Sequence, residues 1–171
     1  MKLEDAIQIS NDILTNKLAR HFTKFLVCGS IRRKIENVND IDVVAIEKNN
    51  YEFDEPTLDL TIKKLHNGND KPMLGDKIKR FSSNEISIDL YLANEATFET
   101  LVLIRTGSED HNYRLATLAK GKGLRLFANG TGLCTFKMEH DKAIPVSIVE
   151  NTENGILQNL LGRIPTPKQR N

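Results

Sequence analysis

The segment 40–47, Asp-Ile-Asp-Val-Val-Ala-Ile-Glu, constrains the fold more than any other part of the sequence. Its β-branched residues are typical of a strand, and Asp40 and Asp42 stand two residues apart, so both carboxylates point to one face. A second segment, 85–92, alternates apolar and polar residues and carries Asp89 on its polar face. We therefore expect strands that present acidic side chains.

Helices are predicted around these strands. Apolar residues recur at helical spacing in five segments, 3–20, 56–65, 95–105, 108–120 and 153–161. A short strand is predicted at 24–28, and the segments 124–127 and 133–136 are predicted to pair as a hairpin. The basic segment 77–80 is interpreted as a loop that contacts DNA. This mixture predicts an α+β or α/β fold.

Composition limits the class of protein. The 171 residues, of which 39% are hydrophobic, are enough for one domain or for a compact domain with a small lobe. Cys28 and Cys134 are too few for a disulfide scaffold or a four-thiolate zinc site. The polar start of the chain and the lack of an apolar run of about 20 residues predict a soluble, intracellular protein without a membrane segment.

Charge is distributed unevenly along the chain. The net charge of the whole chain is +1, but residues 51–104 carry 6 basic and 10 acidic side chains, and residues 105–171 carry 10 basic and 6 acidic ones. This pattern predicts an acidic surface for metal and a basic surface for a polyanion.

The three aspartates suit a divalent metal. Asp40 and Asp42 repel each other unless a cation lies between them, and Mg²⁺ prefers oxygen ligands. Asp89, on a neighbouring strand, would complete a two-metal site that activates a hydroxyl and stabilises a leaving oxygen. The alternative is that these are solvated aspartates on a strand edge.

The segment 29–33, Gly-Ser-Ile-Arg-Arg, follows the predicted strand 24–28. Gly29 allows close backbone approach, the Ser30 hydroxyl can hold a phosphate oxygen, and Arg33 offers a fork of donors that Arg32 can supplement. The alternative is an ordinary turn with a solvated basic run. Phosphate donors about ten residues before metal ligands indicate phosphoryl or nucleotidyl transfer.

The order of these motifs resembles the polymerase-beta nucleotidyltransferase superfamily. Further motifs are similar to the palm and thumb of family X DNA polymerases, and the likeness covers nearly the whole chain. They are 88–91 (Ile-Asp-Leu-Tyr), 106–112 (Thr-Gly-Ser-Glu-Asp-His-Asn), 123–126 (Gly-Leu-Arg-Leu) and 163–170 (Arg-Ile-Pro-Thr-Pro-Lys-Gln-Arg).

The resemblance implies an α+β fold in two parts. Residues 1–104 would form the nucleotidyltransferase palm, a mixed sheet with flanking helices, and residues 105–171 a small α/β thumb. The lyase domain and fingers of full-length members would be absent. We therefore expect a minimal polymerase similar to those of large DNA viruses, encoded by a phage or virus.

The resemblance also implies roles for particular residues. Asp40 and Asp42 would bind two Mg²⁺ ions, for which Mn²⁺ would substitute, and Asp89 would bind the catalytic ion and help to activate the primer hydroxyl. The nucleotide contacts would be Gly29, Ser30, Arg32, Arg33, Arg105, Gly107 against the sugar and Asn112 at the base edge. The DNA contacts would be His111, Arg114, Lys120, Lys122 and Arg125.

The sequence departs from the family pattern in three places. Ile104 and Arg105 stand where the family often has Tyr-Phe, which predicts looser sugar selection. Ala116 replaces a basic template contact, which predicts low fidelity. Ser87 stands where some relatives carry an arginine beside the third aspartate, which predicts altered activation of the hydroxyl.

The function predicted first is a monomeric DNA polymerase that adds dNTPs to gapped or primer-template DNA. Short-gap filling in repair with low processivity would suit the small chain. Two alternatives within the same chemistry stay open, a nucleotidyltransferase with a non-DNA acceptor and a template-independent terminal transferase. A third alternative is a DNA-end binding module without catalysis.

Overall fold

Two hydrophobic cores, one in each half of the chain, organise the fold. In the computed structural model, which describes residues 1–48 and 55–170, the chain divides into two units, Met1–Asn94 and Glu95–Asn171. Within the described residues, no helix is long and apolar enough to cross a membrane.

The first unit contains a mixed sheet with helices around it. Its helices are α1 (Leu3–Asn11), continued by π-helical and 3-10 turns to His21, α2 (Gly29–Arg32) and α3 (Leu58–Leu65). Its strands are β1 (Phe22–Val27), β2 (Asp40–Glu47), β3 (Met73–Leu74), β4 (Ile78–Ser83) and β5 (Ile86–Ala93). The strand order is β1-β2-β5-β4-β3, in which β2 and β5 are parallel and the other pairs antiparallel. The α+β fold class is confirmed.

The first core lies on one face of this sheet. Alternate side chains of the central strands, among them Ile41 and Val43 on β2 and Ile88 and Leu90 on β5, are almost completely buried. Successive side chains of a strand point to opposite faces of the sheet. Because the apolar neighbours of Asp42 and Asp89 point into the core, the two acidic side chains point to the other face.

The interpretation of residues 77–80 as a loop was wrong for residues 78–80. Residues 78–83 form β4, which pairs antiparallel with β5 through a two-residue turn at Asn84 and Glu85. Both turn residues have positive φ, 52° and 63°, which is the geometry that Asn-Gly usually supplies. The second turn residue is Glu85 instead of glycine, and the strand contains the cations Lys79 and Arg80. The local sequence therefore does not strongly predict a hairpin.

The second unit has its own sheet and helices. Its elements are α4 (Phe98–Thr106), α5 (Glu109–Gly121), β6 (Arg125–Phe127), β7 (Gly132–Glu139), β8 (Lys142–Glu150), α6 (Glu153–Leu161) and a 3-10 turn (Pro167–Arg170). The sheet order is β6-β7-β8, all antiparallel, so the predicted hairpin is confirmed. No strand was predicted at β8, where Pro145 weakens the pattern and is tolerated because β8 lies at the edge.

The two units divide between Asn94 and Glu95, before the position 104/105 that the sequence suggested for the palm–thumb boundary. The reason lies in α4, which carries Leu103 into the second core beside Leu115 of α5 and Ile156 of α6. The helix therefore belongs to the second unit.

A buried ion pair ties the segment after α6 to the second unit. The Arg170 guanidinium donates to Glu153 Oε1 at 2.7 Å and to the Pro165 carbonyl, and both charged side chains are almost fully buried. The Arg170 carbonyl accepts from the Ser108 hydroxyl at 2.7 Å and from the Ser108 amide. Ser108 also caps α5, because its hydroxyl accepts from the His111 amide.

We expect Arg170→Gln to lower the free energy of unfolding of the second unit by about 3–5 kcal/mol, because Glu153 would keep its charge without its buried partner. The measurement is urea denaturation followed by circular dichroism. Arg163→Gln removes the same charge from an exposed site nearby and should change stability by about 0.5 kcal/mol or less. Equal losses for the two variants would contradict a structural role of the ion pair.

Candidate active site

The acidic side chains lie on two neighbouring parallel strands. Asp42 on β2 is the register partner of Asp89 on β5, and Asp40 is the partner of Ser87. Partners in a parallel pair lie about 4.8 Å apart and share a face, so the pairing places Asp42 beside Asp89. Asp40 is exposed, Asp42 half-buried and Asp89 buried, so burial increases from the end of β2 toward β5.

The segment 29–33 packs directly against Asp42. The Cys28 amide donates to the Asp42 carbonyl at 2.7 Å, and the chain then turns into α2 through Gly29, whose φ is +56°. A Cβ atom at Gly29 would overlap the Asp42 carboxylate, so this position needs glycine both for its backbone and for space. The turn and the strand that carries Asp40 and Asp42 are therefore in contact.

Within the segment, Ser30 is the residue with an open hydrogen-bonding group. Its hydroxyl oxygen is buried and has no hydrogen-bond partner among the described residues. A buried polar group usually has a partner, so this hydroxyl suits an oxygen of a ligand. Arg32 and Arg33 are half-buried at the end of α2, and each already interacts with another part of the protein.

Arg80, which was not among the predicted site residues, binds the carboxylate of Asp89. It lies opposite Asp89 in the β4–β5 ladder, its Nε donates to Asp89 Oδ1 at 2.5 Å, and its terminal nitrogen pairs with Oδ2. Tyr91 Oη donates to the same Oδ2 at 3.3 Å. The contact with Asp89 raises the pKa of the Arg80 guanidinium. Recognition of the hairpin turn at Asn84 would have placed Arg80 opposite Asp89 from the sequence.

The three carboxylates fit a cation only in part. Asp40 and Asp42 share a face of β2 and supply the hard oxygen donors that Mg²⁺ prefers. In the part of the chain that the structure describes, however, no three acidic, histidine or cysteine side chains form a group that would hold a metal ion. In addition, the Arg80 guanidinium donates to both oxygens of Asp89.

The remaining nucleotide contacts suggested by the resemblance lie in the second unit. Arg105 is half-buried on α4 and interacts with another residue, and Gly107 follows the end of α4 at φ +67°. Asn112 Nδ2 donates to the Ile104 carbonyl at 2.8 Å. The other atom of that amide, Oδ1, is buried and lacks a hydrogen-bond partner within residues 1–48 and 55–170. Their roles stay predictions.

The four basic DNA-contact candidates are all exposed, but two already have neighbours. Lys122 donates to the Asn159 carbonyl, and the Arg125 guanidinium lies 5.7 Å from the centre of the Phe127 ring. Arg114 and Lys120 are on the solvent side of α5. This distribution suits contacts to a phosphate backbone, which position DNA without reading its sequence.

His111 differs from these four residues. The ring is half-buried, and its Nε2 has no hydrogen-bond partner in the described part of the chain. Burial, with the positive charges of Arg170 and Arg114, lowers the pKa of His111 to about 4. At neutral pH the imidazole is therefore uncharged, so a contact with DNA would not be an ion pair.

The chain is similar in sequence and in fold to known DNA polymerases. No family model matches the chain. Over 111 residues, which are 64% of this chain, it is 34% identical to the DNA polymerase/3'-5' exonuclease PolX of Bacillus subtilis. The solved structure of Leishmania infantum polymerase beta in a ternary P/T complex matches with a TM-score of 0.72 and 17% identity, over 100% of this chain and 76% of that one.

The chain resembles family X DNA polymerases. The resemblance expected from the motifs is thus confirmed, in sequence by the bacterial protein and in fold by polymerase beta. The chain spans 19% of the length of the bacterial relative.

We expect Gly29→Ala to lower the free energy of unfolding by about 1–3 kcal/mol, because the methyl group would strain the backbone and displace the Asp42 carboxylate. Chemical denaturation gives the stability change. Gly121→Ala is the matched control, because a Cβ there meets nothing within 4 Å. It should be neutral or stabilising by about 0.5–1 kcal/mol. The prediction fails if both glycine variants behave alike.

We expect the stability of the chain to fall between pH 7 and pH 5 by a His111-dependent amount on the order of 1 kcal/mol. The unfolded imidazole, with a pKa of 6.5, takes up its proton before the folded one, so acid favours unfolding until about pH 4. Denaturation of His111→Asn at both pH values should lack this component. His140→Asn, which changes an exposed ring, should retain it. A wild-type pH response in His111→Asn would contradict the assignment.

Proposed function

We propose that the chain is the nucleotidyl-transfer module of a DNA polymerase that adds dNTPs to a primer 3′-hydroxyl. The observation that carries the proposal is the contact of the Gly29 turn with Asp42, which is itself the register partner of Asp89. A phosphate-binding segment and carboxylates are the two parts that nucleotidyl transfer needs. Similarity to a bacterial DNA polymerase over 64% of the chain supports DNA as the acceptor.

The proposed roles follow the placement of each group. The Ser30 hydroxyl and the guanidinium groups of Arg32 and Arg33 bind the triphosphate, whose negative charge suits forked donors. Asp40 and Asp42 hold divalent cations, which when bound would stabilise the negative charge on the reacting phosphate. Mg²⁺ is the proposed ion and Mn²⁺ its substitute.

The reaction is an in-line displacement at the α-phosphorus. The primer 3′-oxygen forms a bond to that phosphorus while the bond to the β-phosphate oxygen breaks, and pyrophosphate leaves. The hydroxyl proton passes to the carboxylate of Asp89, the most buried of the three acids. The resulting diester extends the primer by one nucleotide.

The second unit supplies the proposed DNA contacts. Arg114, Lys120, Lys122 and Arg125 present positive charge from exposed positions on α5, the turn after it and β6. Contacts of this kind would position gapped or primer-template DNA and would weaken with salt. Short-gap filling by a monomer, with low processivity and loose sugar selection, is the proposed setting.

The test is primer extension on a duplex with a one-nucleotide gap, with dNTP and NTP supplied separately and with Mg²⁺ or Mn²⁺. We expect Asp42→Asn to reduce incorporation at least about a thousandfold, because the loss of a metal ligand removes several kcal/mol of transition-state stabilisation. Asp76→Asn makes the same chemical change at an exposed acid of the first unit and should retain activity.

Other results of this experiment would favour one of the alternative functions. Incorporation without regard to the template would indicate a terminal transferase. Transfer of a nucleotide only to an acceptor other than DNA would indicate a nucleotidyltransferase of another substrate class. Binding of DNA ends with no metal-dependent transfer to any acceptor would contradict the proposal and indicate a binding module.

A further inference from the structure

A cleft in the first unit lies apart from the candidate active site. It is formed by the π-helical turn Asp12–Leu18, the 3-10 turn Ala19–His21 and α3, and its volume is about 360 Å³. These helical segments pack against the core face of the sheet, whereas Asp42 and Asp89 point to the opposite face. A ligand in this cleft would therefore not lie among the groups proposed for nucleotidyl transfer.

The lining of the cleft is basic. Its charged residues are Lys17, Arg20 and Lys64, and none of the described acidic side chains lines it. Asp12 forms an ion pair with Lys17 at 2.9 Å, but the side chains are 45% and 38% exposed, where such a pair is weak. The other polar groups of the lining belong to Thr15, Asn16 and Thr61. Cations in a concave surface, together with hydroxyl and amide donors, suit a phosphate group.

A buried polar pair holds Arg20 at the cleft. Its Nε donates to His21 Nε2 at 3.3 Å, and a terminal nitrogen donates to Thr61 Oγ1 at 3.4 Å. The two acceptor atoms lie 2.9 Å apart, and the residues that carry them are only 1% and 6% exposed. The guanidinium is thus anchored from below, and its remaining N–H groups are left for a ligand.

His21 is uncharged in this arrangement. Because Nε2 accepts from Arg20, the ring proton lies on Nδ1. Burial, with the positive charge of Arg20, lowers the pKa of His21. Glu47 and Glu55 act on the ring in the opposite direction, but neither lines the cleft. The imidazole therefore positions the arginine and does not change the charge of the cleft.

We propose that this cleft is a further phosphate-binding site, in which Arg20 and Lys64 bind the phosphate group of a nucleotide or of a nucleic-acid strand. Arg20 supplies a fixed fork of donors, and Lys64 supplies a mobile point charge. The site needs no metal ion. It goes beyond the proposed function, because the phosphate that it holds is not the one that reacts.

The test is a ¹H–¹⁵N NMR titration of the full chain with inorganic phosphate, at constant ionic strength and without divalent metal. We expect the shifts to concentrate at the Arg20 Nε–H and at the amides of Thr61 and Lys64. Arg20→Gln and Lys64→Gln should each weaken binding about fivefold or more, because each removes a charged donor to the phosphate. Arg20→Lys, which keeps the charge without the fork, should have an intermediate effect.

Matched variants test the location of the site. Lys63→Gln makes the same change as Lys64→Gln at the neighbouring exposed position of α3, which is outside the lining, and should bind phosphate like the unmodified chain. Asp12→Asn removes the anion beside Lys17 and should strengthen binding. Thermal melts check that each variant is folded. Lys64 is exposed, so Lys64→Gln keeps the test decisive if Arg20→Gln does not fold.

Three other probes distinguish the source of the phosphate. Thymidine, which has no phosphate, should cause no shift at the cleft. Shifts with dAMP but not with a single-stranded DNA oligonucleotide that lacks terminal phosphates would identify a mononucleotide as the ligand. Shifts with that oligonucleotide would identify the backbone of a strand. Either result supports a phosphate site.

The proposal is overturned if none of the phosphate-bearing probes shifts the Arg20 and Thr61 signals, or if Lys63→Gln and Lys64→Gln weaken binding equally. It is also overturned if Ser30→Ala, a change in the segment proposed to bind the triphosphate, abolishes those shifts. Each of these results leaves the polymerase proposal standing, because primer extension and its dependence on Asp42 are measured separately. Phosphate binding at the cleft without primer extension would overturn the polymerase proposal alone.

Discussion

The parallel pairing of β2 with β5 is the interaction on which the first unit depends. The two strands stand far apart in sequence and together form the centre of the five-stranded sheet. Their register serves two purposes, because one face buries apolar residues such as Ile41 and Ile88 while the other brings Asp42 to Asp89. A slip of one residue would expose the first set and bury the second, so the core and the site specify the same register.

This pairing places Asp42 and Asp89 side by side, and each of them has a close neighbour, Gly29 next to Asp42 and Arg80 next to Asp89. On one side of β2, Gly29 gives the Asp42 carboxylate room that any side chain would fill. On the far side of β5, Arg80 neutralises an acid that would otherwise be buried alone. Burying an unpaired carboxylate is costly, so the ion pair lets β5 carry Asp89 within a packed sheet.

The second unit also contains a buried ion pair, which joins a turn to a helix. Its core is closed by α4, α5 and α6, and the buried pair of Arg170 and Glu153 attaches the 3-10 turn at Pro167–Arg170 to the start of α6. Through the Arg170 carbonyl, that turn holds Ser108, next to Gly107 in the sequence. The exposed cations of α5 stand outside this core, so changes in their charge need not disturb the fold.

Local sequence patterns were sufficient for much of the fold. The alternation of apolar and polar residues located β2 and β5, and helical spacing located most of the helices. They failed at β4, where two cations and a Glu in the turn masked a hairpin, and at β8, where Pro145 interrupts an edge strand. In both segments pairing with a neighbouring strand outweighs a weak local preference.

The sequence by itself determined that helices and strands are mixed in the fold, that Asp40 and Asp42 share a face, and that the chain is similar to family X DNA polymerases, since all three depend on residue type and short spacing. Only the tertiary structure decided that Arg80 binds Asp89, that Gly29 touches Asp42, and that His111 is half-buried and neutral. These contacts depend on strand register and on burial. Both arise from residues distant in the chain, so neither is encoded in a short window of sequence.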